Sequence, residues 1–387
     1  MGLPFSFVAL FKISLNSSEY LSPMFTTFNN KAFAFLGMAV CVAFTSCSEE
    51  DQESIPDYSV PTTYNFTGAD YSTSTNRIKM AVELNSYLGS GSTTVLDQTK
   101  ANNLFNNTNA PFSNSALNTA SVNLAEKTAD ATVYQGFINQ HVTNSSSNLT
   151  PAAPGKAGFI PRGTAKILVG PQGLEYNQAL AKGMMGSLFF KEAMSIMATI
   201  SGEDNAKVTE NATAMQHRWD EAFGYLGVPA DYDTAKVYAS TDANRPLLWG
   251  GYLGERGKPI KAGGTLFEAF RKGRAAIAVK DYAVRDEQVK IIQETWEKLA
   301  AISALAYVTI PQASSSVGNL GTQFHALSEG YGFVLALKYR TAGSKLTDAN
   351  YQKLLTILNT DFYTLVNEPG FVKLKEAETI LKTVYNL

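Results

Sequence analysis

The sequence predicts an all-α protein, a double helical bundle with an internal duplication. The strongest apolar segments repeat with a period near 3.6 residues, the spacing of one buried helix face. A nine-residue pattern with histidine, glutamate, glycine and aromatics in register occurs twice, 108 positions apart. Ahead of the first periodic segment the chain reads as a leader and a polar tether, so the helical domain is expected over 77–387.

Residues 1–46 read as a signal peptide. The apolar run Phe33 to Phe44 follows Lys31 and holds twelve residues. That is short of the ~20 needed to span a bilayer as a helix but suits the hydrophobic region of a secretory signal. Small residues before Cys47 resemble a bacterial lipobox, which implies cleavage before Cys47 and lipidation of its sulfur. The segment ahead of Phe33 is long and nearly uncharged, so translation is expected to begin at Met24. The acidic stretch Ser48-Glu49-Glu50-Asp51-Gln52 resembles the surface-export signal of Bacteroides-type lipoproteins. The expected partner is therefore a membrane, reached through lipid at Cys47, and the expected place is the outer membrane with the domain displayed at the cell surface.

Cys41 and Cys47 are the only cysteines, so the mature domain has no thiol for a disulfide, a zinc–thiolate site or a nucleophile. Removing residues 1–46 takes two of the 32 basic and one of the 34 acidic side chains, leaving 30 against 33. A balance so near neutral argues against nucleic acid as a partner. Residues 47–76 are rich in Ser, Thr, Tyr, Asn and Pro, as expected of a tether that ends in irregular wrapping.

Helix-like spacing covers 77–88, 93–104 and 115–142, the last diluted by Asn and Thr. It is stronger over 173–199, through Leu174, Ala181, Met184, Met185, Leu188 and Phe189, with Gly183 and Gly186 marking close helix contact. Val289, Ile292, Trp296, Leu299 and Ile302 give the same period over 285–308, and 347–358 and 372–384 close the chain. Asn144 to Gly158 reads as a connector, and Arg271, Lys272 and Arg274 as a solvated helix face. Between the repeat copies, Gly227 to Gly264 is long and glycine-rich, a composition that is often functional when ordered. Its Tyr232, Tyr238, Trp249 and Tyr252 are candidates for covering a cleft, and Trp249 and Tyr252 facing solvent would mark a glycan binder.

The repeat carries the chemistry. His217, Glu221, Gly224 and Tyr225 share one helix face, as do His325, Glu329, Gly332 and Phe333. Asn211 and Asn319 extend the alignment upstream, and each copy follows a strong helix, so the duplicated halves are expected at about 173–225 and 285–333. Three readings stand side by side: buried polar pairs that fix packing, a metal site built from facing helices, and a histidine acting as general base. The four side chains His217, Glu221, His325 and Glu329 would form one site for iron or zinc if the copies converge. Asp220 has no acidic counterpart at Ser328, so the first copy is expected to make the ligand contact. His141 stands alone near a helix end, where it is expected to act on the helix dipole. The motifs H-E-x-x-H, G-x-S-x-G, the P-loop and a G-x-G-x-x-G after a strand are all missing, so no standard catalytic machinery is identified.

The segment His217-Arg218-Trp219-Asp220-Glu221-Ala222-Phe223-Gly224-Tyr225-Leu226-Gly227, with Ser328-Glu329-Gly330-Tyr331-Gly332-Phe333 and the lipoprotein leader, resembles imelysin-like lipoproteins over roughly 60 to 387. That resemblance implies an all-helical fold of two similar bundles carrying a G-x-H-x-x-E motif, with peptidase activity in some members and iron acquisition in others. Here His217 and Asp220 match the H-x-x-E part with Asp in place of Glu, and Met215 stands where the motif has Gly. After His325 that offset holds Ser328, with Glu329 one residue later. The expected function is a surface lipoprotein that binds a metal or a small ligand in nutrient uptake, with an imelysin-type peptidase and a structural or glycan-binding protein as alternatives.

Overall fold

The computed structural model describes residues 55–387; the leader, Cys47 and the acidic stretch 48–52 lie outside the described residues. The helices are α1 (Ser72–Gly89), α2 (Gln98–Asn106), α3 (Ser115–Asn118), α4 (Ala131–Ser145), α5 (Tyr176–Met184), α6 (Lys191–Thr199), α7 (Ala214–Leu226), α8 (Trp249–Glu255), α9 (Ala262–Ala278), α10 (Tyr282–Thr309), α11 (Leu320–Ala336), α12 (Asp348–Leu358), α13 (Phe362–Asn367) and α14 (Val372–Tyr385). Among the described residues strand is confined to two antiparallel hairpins, β1 (Gly158–Arg162) with β2 (Ala165–Val169), and β3 (Val208–Thr209) with β4 (Ala212–Thr213). The fold is thus an all-α bundle. Among the described residues no helix is long and apolar enough to cross a membrane.

The strongest periodic segments become the central helices. The 173–199 segment is α5 and α6 joined through a π-helical turn, Met185–Phe190, whose six residues are all buried. A Cβ on Gly186 in that turn would lie 2.2 Å from the Ala336 Cα of α11, so the glycine marks a helix crossing as expected. Trp249 Nε1 donates to the Met185 carbonyl at the start of the turn at 2.7 Å. Around this point the core is aromatic. Phe223, Phe270, Trp296, Trp249 and Phe333 follow one another at 5.7, 6.3, 6.1 and 5.7 Å between ring centres. The chain of rings begins on α7 and ends on α11, and so runs from one repeat copy to the other.

Several expectations are corrected. The 115–142 segment does not form one helix: α3 ends at Asn118 and α4 begins after Asp130, which holds a left-handed backbone. Asn and Thr side chains compete for backbone groups here; the Asn107 amide alone donates to the carbonyls of Leu117, Ala120 and Val122. The glycine-rich connector contains α8 and the start of α9, neither of which its composition announces. Arg271 and Arg274 are not solvated: Arg271 donates to the Pro61 carbonyl, and Arg274 is 2% exposed. Both hold down the irregular segment 55–71, where Tyr64 N also donates to Ala230 O at 2.7 Å. Asn211 and Asn319 are not equivalent either. Asn211 has φ 68° in the β3–β4 turn, whereas Asn319 caps α11 by accepting from Thr322 N.

Candidate functional site

The repeat glycines sit at close helix crossings in both copies. A Cβ on Gly224 would lie 2.8 Å from the Cβ of Tyr71 and 2.7 Å from that of Ser74 in α1, and one on Gly332 would lie 2.5 Å from the Lys182 Cβ of α5. Each repeat glycine lets another helix pass, as its spacing predicts. The polar residues beside them then diverge.

In the first copy, α7 is started by a capping box in which the Thr213 hydroxyl and the Gln216 side chain satisfy each other's backbone amides. His217 Nε2 lies 3.0 Å from the Thr209 carbonyl, joining the helix to the β3–β4 hairpin. Glu221 pairs with Arg218 and accepts from the Tyr225 hydroxyl at 3.3 Å, which in turn accepts from Arg77 at 3.3 Å. Asp220 is fully buried and accepts from Arg274 Nε at 2.9 Å and from the Tyr64 hydroxyl at 2.7 Å. Burial raises its pKa even against the pull of Arg274 and Tyr64, and burial with the neighbouring Asp220 charge lifts Tyr64 well above its ordinary range. These side chains pin elements together.

In the second copy both repeat residues reach α5. His325 Nδ1 lies 2.7 Å from Glu175 Oε2, at the residue that precedes α5, and Nε2 lies 3.8 Å from Glu329 Oε2. Glu329 Oε1 is 3.0 Å from Lys182 Nζ. Burial pushes the Glu329 carboxyl up, but Lys182, His325 and Tyr307 outweigh it and hold the group below the ordinary carboxylate value. The Ser328 hydroxyl accepts from Glu175 N at 2.8 Å and donates to Phe324 O at 2.7 Å, so it is not a nucleophile presented to His325.

The expected four-ligand site is therefore not formed. Among the described residues no group of three or more His, Cys, Asp or Glu side chains is placed to hold a metal ion. The physical reason is visible in the partners. His217 turns to a carbonyl and Glu221 to Arg218 in one copy, while in the other His325 sets its two nitrogens against different carboxylates. An iron or zinc ion does not fit this donor set. Trp249 and Tyr252 are also not cleft residues. Both are buried, Trp249 on the Met185 carbonyl and Tyr252 with its hydroxyl 2.8 Å from that of Tyr307.

The second copy does border an open cavity of about 180 Å³, lined by the end of α1, α4, the β1–β2 hairpin, α5 and α11. His325, Glu175, Asn177, Gln178, His141, Lys166 and Arg162 are in its walls. His141 is 1% exposed, and burial pushes its imidazole down to about 4, so it is neutral. A neutral ring does not serve the helix dipole. Its Nε2 instead lies 2.8 Å from the Leu88 carbonyl near the end of α1 and must carry the proton, which leaves Nδ1 as a lone-pair acceptor. That Nδ1 has no partner, and neither does the buried Oδ1 of Asn177. Both atoms are buried behind the cavity wall, on residues whose other atoms line it. Sequence reasoning passed over Asn177, which lies within a helix of ordinary period, and read His141, outside the repeat, as serving the helix dipole.

The model of the family described as Domain of unknown function (DUF4856) matches residues 61–386. No curated protein and no solved structure matches the chain.

Proposed function

The chain belongs to the DUF4856 family, and from that premise we propose that it is a lipid-anchored outer-membrane protein, displayed at the cell surface, that binds a small polar solute for uptake. The solute site is the cavity beside the second repeat copy. The observation that carries this reading is the polar lining of that cavity, which brings Lys166, Asn177, Gln178 and His325 together. A few convergent polar groups around a small cavity select a guest that exchanges hydrogen bonds with them. Glu175 adds a carboxylate already oriented by His325. The guest is thus rich in N–H or O–H groups and no larger than a monosaccharide or an amino acid. The kinship with imelysin-like double bundles belongs to the same proposal, supported by the matched helix crossings at Gly224 and Gly332.

The test is calorimetric titration of residues 54–387 with panels of monosaccharides and amino acids. A member of one panel is expected to bind, with affinity lost in Asn177→Leu and in His325→Ala while both variants stay folded. Binding that neither variant weakens would place the site elsewhere, and no binding by either panel would end the proposal.

A further inference from the structure

A second cleft lies in the glycine-rich connection between the repeat copies. Two adjoining cavities, of about 330 and 360 Å³, share Tyr232, Thr234, Gly254 and Lys258 in their walls. One extends along Tyr238, Arg245 and Pro246, the other along Lys261, Gly263 and Gly264.

Two of its glycines are not needed by the fold. A Cβ on Gly254 or Gly264 would meet nothing within 4 Å, and neither residue has a left-handed backbone. Both sit inside helices, α8 and α9, where glycine is a poor choice. What a side chain at either position would do is fill the cleft. By contrast, a Cβ on Gly263 would lie 2.6 Å from the Tyr232 hydroxyl, so that ring is packed over the first turn of α9.

The groups facing the cleft are donors. Helix α9 starts with no side-chain cap. The amides of Ala262 and Thr265 are bonded to Gly257 O and Lys261 O, while those of Gly263 and Gly264 have no partner among the described residues. The bare first turn carries the positive end of the helix dipole and favours an anion. Tyr232 is 9% exposed, and its hydroxyl makes no hydrogen bond among the described residues. Burial pushes its pKa up to about 12, so it is a neutral donor at physiological pH. Lys258, Lys261 and Arg245 have no acidic partner within salt-bridge distance among the described residues, and the one carboxylate in the walls, Asp233, accepts from Ala235 N.

We propose that this cleft binds a small phosphomonoester of about the size of a sugar phosphate, its phosphate at the first turn of α9 with Lys258, Lys261 and the Tyr232 hydroxyl. A phosphomonoester carries nearly two negative charges at neutral pH, which suits several free cations where a single carboxylate would not need them. The remainder of the molecule lies along Tyr238, Pro246 and the open surface of α8.

Calorimetric titration with glucose 6-phosphate, glucose and inorganic phosphate tests this. Glucose 6-phosphate is expected to bind, glucose not, and inorganic phosphate to compete. Gly264→Ala and Gly254→Ala are expected to melt no lower than wild type yet to lose at least tenfold in affinity, because the added methyl occupies the cleft. Lys258→Gln is expected to lose affinity with unchanged melting, and Asn177→Leu, in the other cavity, to keep it. No binding of glucose 6-phosphate to wild type, or undiminished affinity in both glycine variants, would overturn the proposal.

Discussion

Asp220, Arg274 and Tyr64 form a fully buried polar cluster that ties α7, α9 and the irregular segment 55–71 together. Replacing Asp220 with Leu leaves a guanidinium that is 2% exposed without its carboxylate. Breaking one side of a buried ion pair costs about 3–5 kcal/mol. Unfolding roughly 330 residues at about 2.1 cal/mol/K each gives an entropy near 0.7 kcal/mol/K, so the melting temperature should fall by about 4–7 °C. Arg274→Met is expected to cost less at acid pH than at neutral pH. The stranded carboxyl, whose pKa burial already raises, can then escape by holding its proton. Combining Asp220→Leu, Arg274→Met and Tyr64→Phe removes every charge and orphan at once, and the triple variant should melt above either single one. Calorimetric melting of the four proteins at two pH values is the assay. A triple variant whose loss equals the sum of the single losses would refute the coupling.

Gly186→Ala places a methyl 2.2 Å from the Ala336 Cα and should cost about 1–3 kcal/mol by overpacking, read from urea midpoints. An unchanged midpoint would mean that the π turn and α11 are not in contact. Glu329 is held below the ordinary carboxylate value, so its contribution is present above the unfolded pKa of about 4.3 and lost as pH falls through the folded one. The stability gap between wild type and Glu329→Gln should therefore be widest near neutrality and close on acidification below that value; a gap independent of pH contradicts the Lys182 pairing. On the proposed anchoring, Cys47→Ser should release the protein from the membrane fraction, and unchanged partitioning after the substitution removes the lipid anchor from the proposal.

The residues that were legible are those whose meaning lies within one helix turn or two. The apolar rows of 173–199 and 285–308 and the glycines Gly186, Gly224 and Gly332 announced helices and their crossings, because spacing alone decides which face is buried. What the repeat could not tell was which partners each copy would meet. His217 and His325 occupy the same place in the repeat, but one faces a hairpin carbonyl and the other Glu175, 150 positions away. Trp249 and Tyr252 looked like cleft residues from the glycines around them, yet the π turn places the Met185 carbonyl where an indole N–H can bond it. Arg274 read as a surface cation because Asp220, its buried partner, and Tyr64, which donates to the same carboxylate, are distant in the sequence. The cavity lined by Glu175, Asn177 and His325 was illegible for the same reason: its walls come from segments far apart in the sequence.

The solute site is tested most directly by a high-resolution crystal structure of the protein grown with the tightest-binding member of the sugar and amino-acid panels. The expected result is solute density in the cavity between α4, α5, α11 and the β1–β2 hairpin, within about 3.2 Å of a polar side-chain atom of Glu175, Gln178 or Lys166, the outer limit of a hydrogen bond. Ordered water alone in that cavity, with the solute bound elsewhere on the molecule, would contradict it.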